Sequence, residues 1–232
     1  TQCRKRMICS LLFGENTMRD EKQRLAMLRQ YQVLDTATEK IYDDLTKLAA
    51  TICNVPISLV SLIDSGRQWF KSHHGLTAEE TPRDQAFCAH AILQNDILVV
   101  EDAAYDDRFR NNPLVTNDPS IRFYAGAPLT VASGANLGTL CVIDRVPRTL
   151  AGFQLDALSV LRDAVVAHLE LRRTVDEIRA LEGSIPICAW CRSVRLDESG
   201  EWLAMDKYLS TLSSVTHGMC PSCATEIKAT LR

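Results

Sequence analysis

Four cysteines near the C-terminal end are spaced for metal chemistry. Cys188 and Cys191 form one Cys-x-x-Cys pair and Cys220 and Cys223 a second, with twenty-eight residues between them. Each pair can turn two thiolates toward a common point, and Zn²⁺ takes four such ligands tetrahedrally at about 2.3 Å. The spacing predicts one structural zinc site closed by all four sulfurs, with no open position for catalysis. His217 stands three residues before Cys220 and competes for a ligand place. With four sulfurs available, its expected role is a hydrogen bond to a sulfur or to the turn at Gly218. Two other chemistries fit the same residues: a redox dithiol, and a zinc thiolate that releases its metal on oxidation. The long spacer must fold on its own, so residues 194–212 are expected to hold a strand or turn and a helix.

A second candidate is Cys88 with His90, since a thiolate beside an imidazole is activated as a nucleophile. On a helix, however, residues i and i+2 point about 200° apart and do not face each other. The pair therefore predicts no catalytic couple.

The 232 residues, 46% hydrophobic with a net charge of −3, describe an ordinary globular protein of one large or two modest domains. Residues 183–232 carry five Lys/Arg against five Asp/Glu, which lacks the basic surplus of a nucleic-acid binder. No run approaches the eighteen apolar residues of a membrane helix. Arg4-Lys5-Arg6 leads only into a short apolar run over residues 7–13 without a small-residue cleavage site. Nine cysteines then read as reduced thiols of a cytoplasmic protein. Those outside the zinc set, Cys3, Cys9, Cys53, Cys88 and Cys141, are expected as small buried hydrophobes.

Residues 1–19 show no periodicity and are expected to be a flexible extension. A helical stripe follows at Leu25, Leu28, Tyr31 and Val33/Leu34, and a second helix over residues 39–53. The β-branched run 57–63, the turn Asp64-Ser65-Gly66 and residues 67–71 predict a hairpin. Thr81-Pro82-Arg83-Asp84 reads as a helix start, with a helix over residues 85–94. A brief strand at 97–100, an irregular loop over 103–121 with one turn at 106–109, and strands at 123–131 and 136–144 complete the pattern. Gly138 is tolerable there at a close approach or a bulge. A helix over residues 153–182 then carries Leu155, Leu158, Leu161, Val165, Leu169, Val175 and Ile178. Its second half needs a partner to bury Val175 and Ile178, either a second copy in a homodimer or the cysteine-rich tail.

Leu34-Asp35-Thr36, the run 57–64, Arg67-Gln68-Trp69-Phe70-Lys71-Ser72, Thr81-Pro82-Arg83-Asp84, Phe87-Cys88-Ala89-His90, the run 123–129 and Leu137-Gly138-Thr139 through Asp144 occur in an order that resembles a GAF domain of bacterial sensory proteins. The resemblance implies an α+β fold over residues 20–172: an antiparallel sheet, helices on one face, and a pocket on the other roofed by loops and a short helix. Residues 173–183 then form a helical connector and 184–232 a small zinc-ribbon-like module. The pocket implied would be lined by Trp69, Phe70, Phe87, Cys88, His90, Phe109, Arg122, Phe123 and Tyr124. Trp69 and Phe70 point to opposite sides of a regular strand, so at most one of them faces it. Arg67, Arg83, Asp84 and Arg122 put charge near its rim, where surface ion pairs such as Arg83 with Asp84 or Asp64 account for it equally well. Kinase, Gly-Gly-Asp-Glu-Phe cyclase and Gly-x-x-x-x-Gly-Lys signatures are absent. The expectation is a non-enzymatic regulatory protein that binds a small molecule and uses its tail for protein contacts. A redox sensor using the Cys-x-x-Cys pairs, and a GAF-fold thiol enzyme of the free methionine sulfoxide reductase kind, stand as alternatives. Cys53, Cys88 and Cys141 show no paired spacing that would support the enzyme.

Overall fold

A computed structural model of the chain describes residues 21–181, 187–196 and 200–211. The expectations for residues 1–19, and for Cys220, Cys223 and His217, lie outside the described residues. The chain divides into two compact units, with the division between Glu177 and Ile178.

The first unit is an α+β domain around a six-stranded antiparallel sheet, in the order β3-β2-β1-β6-β5-β4. Its strands are β1 (Ile57–Ile63), β2 (Arg67–His74), β3 (Glu80–Pro82), β4 (Leu98–Val100), β5 (Phe123–Thr130) and β6 (Asn136–Asp144). Every residue of β1 is buried. A strand covered on both faces reads as a continuous apolar run, which is why Ile57-Ser-Leu-Val-Ser-Leu-Ile63 lacks a polar face. Its alternate residues serve two separate cores. Val60 and Leu62 join the layer under the long helices, and Ile57, Leu59 and Ile63 join the layer under a short lid helix. β1 and β6 approach so closely at Gly138 that a β-carbon there would lie 1.8 Å from the Ser61 carbonyl oxygen. Glycine is the residue that this close approach demands.

One face is covered by a helix over residues 21–30 (α1), by α2 (Lys40–Cys53) and by α5 (Gly152–Leu181). Leu28, Tyr42, Leu45, Ala49, Leu158, Leu161, Val165 and Leu169 fill this layer. The spacing of the α5 residues, three and then four apart, marks a single helical stripe. Polar ties fix the helix to the domain: Tyr31 donates its hydroxyl to Glu170 Oε1 at 2.7 Å, and Gln154 Nε2 donates to the Ile52 carbonyl at 2.9 Å. Among the described residues, no helix is long and apolar enough to cross a membrane.

The other face differs from expectation in its connections. The helix start expected at Thr81-Pro82 is the edge strand β3, paired with β2 through Trp69 and Glu80. At a sheet edge the missing N–H of Pro82 costs no ladder bond. The helix expected over residues 85–94 is a 3₁₀ turn, Arg83–Gln85, followed by a five-residue helix α3 (Phe87–Ala91). Ala86 between them is extended, at φ −76° and ψ 120°. The loop before β5 carries the expected turn at Asp106 and also a short helix α4 (Pro113–Thr116). Pro113 opens that helix, where its missing N–H is harmless, and the Asn112 side chain accepts from the Leu114 N–H at 2.9 Å.

The second unit holds a two-stranded hairpin, β7 (Val194–Arg195) with β8 (Trp202–Leu203), followed by α6 (Met205–Thr211). The spacer thus folds into strands and a helix as its length requires. Val194 is its buried apolar anchor, whereas Trp190 is almost wholly exposed.

Candidate functional site

Beneath α3 and the loops lies a cavity of about 210 Å³. Its floor is the lid-side face of the sheet, which presents Leu59 from β1, Phe70 from β2, Tyr124 from β5 and Ile143 from β6. Phe87 of α3 closes one side, and Leu114 and Ile121 close the other. Gln68, Thr77, Thr81 and Asp118 supply the polar groups. Apolar walls with a few placed polar atoms are the composition of a small-molecule site. Thr81 Oγ1 is buried and has no hydrogen-bond partner within the protein. Buried polar atoms are nearly always paired, so this hydroxyl stands ready for a ligand atom or a water.

At the inner end sits a cluster of thiols and hydroxyls. Cys88 Sγ lies 3.8 Å from Cys141 Sγ, and Tyr124 Oη donates to Cys88 Sγ at 3.3 Å. Ser61 Oγ and Thr139 Oγ1, 3.2 Å apart on the neighbouring strands, complete the cluster. Tyr124 reaches Cys88 because residue 126, two places along the same face, is glycine: a β-carbon there would stand 2.0 Å from Tyr124 Oη. Burial raises the Cys88 thiol, but the surrounding Cys141, Ser61, Thr139 and Tyr124 donors outweigh it and bring it below the ordinary range. Burial pushes Cys141 up, and a thiolate on Cys88 pushes it further.

The residues expected to line the pocket separate into three groups. Phe70, Phe87, Cys88 and Tyr124 wall the cavity. Trp69 and Phe123 are packed in the opposite layer with the long helices, because each precedes by one residue a cavity-facing neighbour on its strand. Phe109 and His90 belong to the lid packing, and Arg122 stands apart in an ion pair. Phe109 stacks on Phe87 at 4.0 Å between ring centroids and takes the edge of His90 at 4.8 Å. Burial, with the nearby Arg108 charge, lowers the His90 pKa and favours a neutral ring. Arg122 forms a bidentate pair with Asp102, both bonds 2.7 Å. Arg83 pairs with Glu21 at 2.7 Å rather than with Asp84, and meets Asp64 through its backbone carbonyl at 2.9 Å. Leu59, Thr81, Leu114, Ile121 and Ile143 are lining residues outside the expected pocket set; Leu59, Thr81 and Ile143 stand within the quoted motifs, and nothing in the spacing marks Leu114 and Ile121.

In the second unit, Cys188 and Cys191 are free thiols on one turn. The Cys188 N–H donates to the Ser193 carbonyl at 2.8 Å, the Arg192 N–H donates to the Cys188 carbonyl at 2.9 Å, and Arg192 takes a left-handed φ of 59°. Cys191 Sγ lies 3.3 Å from Ser193 Oγ. Among the described residues, no group of three or more His, Cys, Asp or Glu is placed to hold a metal ion.

Residues 37–172, more than half of the chain, match the GAF domain family, and the chain belongs to that family. Over 160 residues, 68% of its length, it is 42% identical to a cyclic di-GMP phosphodiesterase of Pseudomonas aeruginosa; the match spans 27% of that relative. Similar solved structures include the GAF domain of an Acinetobacter phosphoenolpyruvate-protein phosphotransferase, at 17% identity and TM-score 0.48 over 67% of this chain and 98% of that one. A free methionine-R-sulfoxide reductase from Neisseria meningitidis is similar at 16% identity and TM-score 0.49, over 65% and 93%. The expectation of a non-enzymatic protein is corrected by the first of these relatives, which is named as an enzyme.

Proposed function

We propose that this GAF domain is the ligand-responsive part of a cyclic di-GMP phosphodiesterase system, and that it binds a small, largely apolar molecule in the cavity under α3. The observation that carries the reading is the cavity itself: an apolar enclosure whose buried Thr81 hydroxyl has no partner in the protein. A volume of about 210 Å³ lies below the range of roughly 300–1,000 Å³ for drug-sized ligands, so the ligand is compact. Binding acts on the output only by favouring one arrangement of the protein over another. The candidate lever is α5. Lys71, next to the cavity residue Phe70 on β2, pairs with Glu39, and Glu39 also receives Arg172 of α5. In a homodimer, a second copy of the chain packed along α5 would receive that bias. The test is mass spectrometry of small molecules released from the purified native chain, compared with Leu59→Trp, which fills the cavity. A compound present in the first and lost in the second is expected; identical extracts overturn the ligand reading. Hydrolysis of cyclic di-GMP to the linear dinucleotide, followed in the presence of the protein, should change between the two forms. Equal rates sever the cavity from the output.

We propose further that Cys188 and Cys191 are half of a structural zinc site completed by Cys220 and Cys223. The support is the turn at residues 188–193, which places two thiols six and three residues before the buried Val194. Elemental analysis of reduced protein should find one zinc per chain, lost in Cys188→Ser. Metal-free protein with a folded tail rules the site out.

A further inference from the structure

We infer that Cys88 and Cys141 form a dithiol which a hydroperoxide entering the cavity oxidises to a disulfide, with Cys88 as the attacking sulfur and Cys141 as the resolving one. The geometry separates the two roles. Cys88 is part of the cavity wall, and the same cavity is lined by Thr77 and Asp118, which are exposed. Cys141 lies behind it on β6, fully buried and outside the wall, with its sulfur 3.8 Å away. A disulfide needs about 2.0 Å between sulfurs, so closure is a movement of roughly 2 Å. α3 is a helix of five residues with Cys88 at its second position, so the sulfur sits on a short element.

The surroundings favour the thiolate on Cys88 before any oxidant arrives. Tyr124 Oη points its proton at Cys88 Sγ, and the hydroxyls of Ser61 and Thr139 stand beside it. Thiolate character governs attack on a peroxide. Cys53 provides the contrast within the same domain: it is buried in the helix-side core, where burial raises its thiol.

The step balances. The Cys88 thiolate attacks one peroxide oxygen; an S–O bond forms, the O–O bond breaks, and the departing alkoxide or hydroxide takes up a proton. Cys141 gives up its proton and attacks the sulfenic sulfur; an S–S bond forms, the S–O bond breaks, and the hydroxyl leaves as water. Two thiols lose two electrons and the peroxide gains them. Closure also draws α3 toward the sheet and carries Phe87, a wall of the cavity, with it. Oxidation and occupancy are thereby linked at one place, although the dithiol chemistry stands whatever ligand the cavity takes.

The reduced full chain is treated with hydrogen peroxide at neutral pH, remaining thiols are capped with iodoacetamide in denaturant, and the peptides are mapped by mass spectrometry. The expected product is a peptide pair joined through Cys88 and Cys141 while Cys53 is recovered capped. In Cys141→Ser the expected product is Cys88 trapped as its sulfenic acid by dimedone. Recovery of both Cys88 and Cys141 as capped thiols under excess peroxide, or Cys88 joined only to some other cysteine, overturns the inference. The wild-type map answers first, so an unstable variant does not obscure the result. Oxidation of Cys188 and Cys191 appears in separate peptides and is scored apart.

Discussion

Lys71 Nζ lies 2.7 Å from Glu39 Oε1, with the lysine side chain wholly withdrawn from solvent. The ammonium has three donors and finds three acceptors: this carboxylate, the Ala37 carbonyl at 2.7 Å and Thr36 Oγ1 at 2.9 Å. The Tyr42 ring adds a cation–π face at 5.4 Å. A charge buried on β2 therefore has complete compensation, and the same carboxylate binds Arg172 of α5. One glutamate joins the cavity-bearing sheet to the helix that runs out of the domain.

Glu39→Gln should destabilise the domain by about 2–4 kcal/mol, because it leaves the Lys71 charge buried with only neutral acceptors. Breaking a fully buried pair sits at the top of that range; Glu39 is partly exposed, which lowers the figure. Lys71→Met combined with Glu39→Gln should recover much of the loss, since the stranded charge is gone. Urea denaturation of the single and double variants measures both. A single variant within about 0.5 kcal/mol of wild type shows that solvent already satisfies the lysine.

Acid should weaken the fold in a defined window. Burial acts to raise the Glu21 carboxyl, but hydrogen bonds and charge from Arg24 and Arg83 prevail and hold it at about 2, against 4.5 in the absence of these contacts. Glu39 is lowered in the same sense, with burial opposed by Lys71 and Arg172. A depressed folded-state pKa means that the stabilisation is complete above the unfolded value and is lost as pH falls through the folded one. Stability to urea should therefore be flat at neutral pH and fall steadily below 4.5 toward 2. Glu21→Gln should be less stable at neutral pH and show a shallower acid slope. A variant with the wild-type slope removes Glu21 from the account.

Gly126→Ala should cost about 1–3 kcal/mol by overpacking. The new methyl group would meet Tyr124 Oη at 2.0 Å, and Tyr124 is fully buried with its ring tilted against Phe87 at 5.3 Å, so the ring must leave its bond to Cys88 to make room. Tyr124→Phe in the same chain removes the nearest atom and should return part of the loss. Thermal unfolding of the two variants separates this crowding from a loss at Cys88, which Tyr124→Phe alone reports.

Much of this fold could be read from residue order, and the parts that could not have specific causes. The run 136–144 reads as a strand because its residues are apolar and β-branched, and β6 occupies just those positions. The edge strand β3 escaped notice because Thr81-Pro82-Arg83 carries the polar marks of a helix start, and its pairing with β2 is settled by tertiary contact. Alternation along a strand shows that Phe123 and Tyr124 face opposite ways. It does not say which layer is the helices and which is the cavity, and so Trp69 and Phe123 were expected on the wrong side. The approach of Cys88 to Cys141 joins positions 53 residues apart, a distance over which no spacing rule operates.

The second copy proposed to lie along α5 has a seam to occupy. Leu158, Leu161, Val165 and Leu169 face the domain, while Phe153, Val160 and Leu171 remain exposed on the same helix. Phe153 and Val160 are seven residues apart, Leu171 follows eleven later, and Ile178, half exposed, stands seven beyond it. These are the a and d intervals of a two-helix coiled coil. Of Val175 and Ile178, the two residues that periodicity singles out, Ile178 is exposed and Val175 is partly covered. Val160→Asp with Leu171→Asp should convert the dimer to a monomer in light scattering and leave thermal stability of the domain nearly unchanged, because neither side chain enters its core. A Val175→Asp control should leave the dimer in place. If the doubly substituted protein keeps the mass of a dimer, the copies meet elsewhere and α5 does not carry the signal between them.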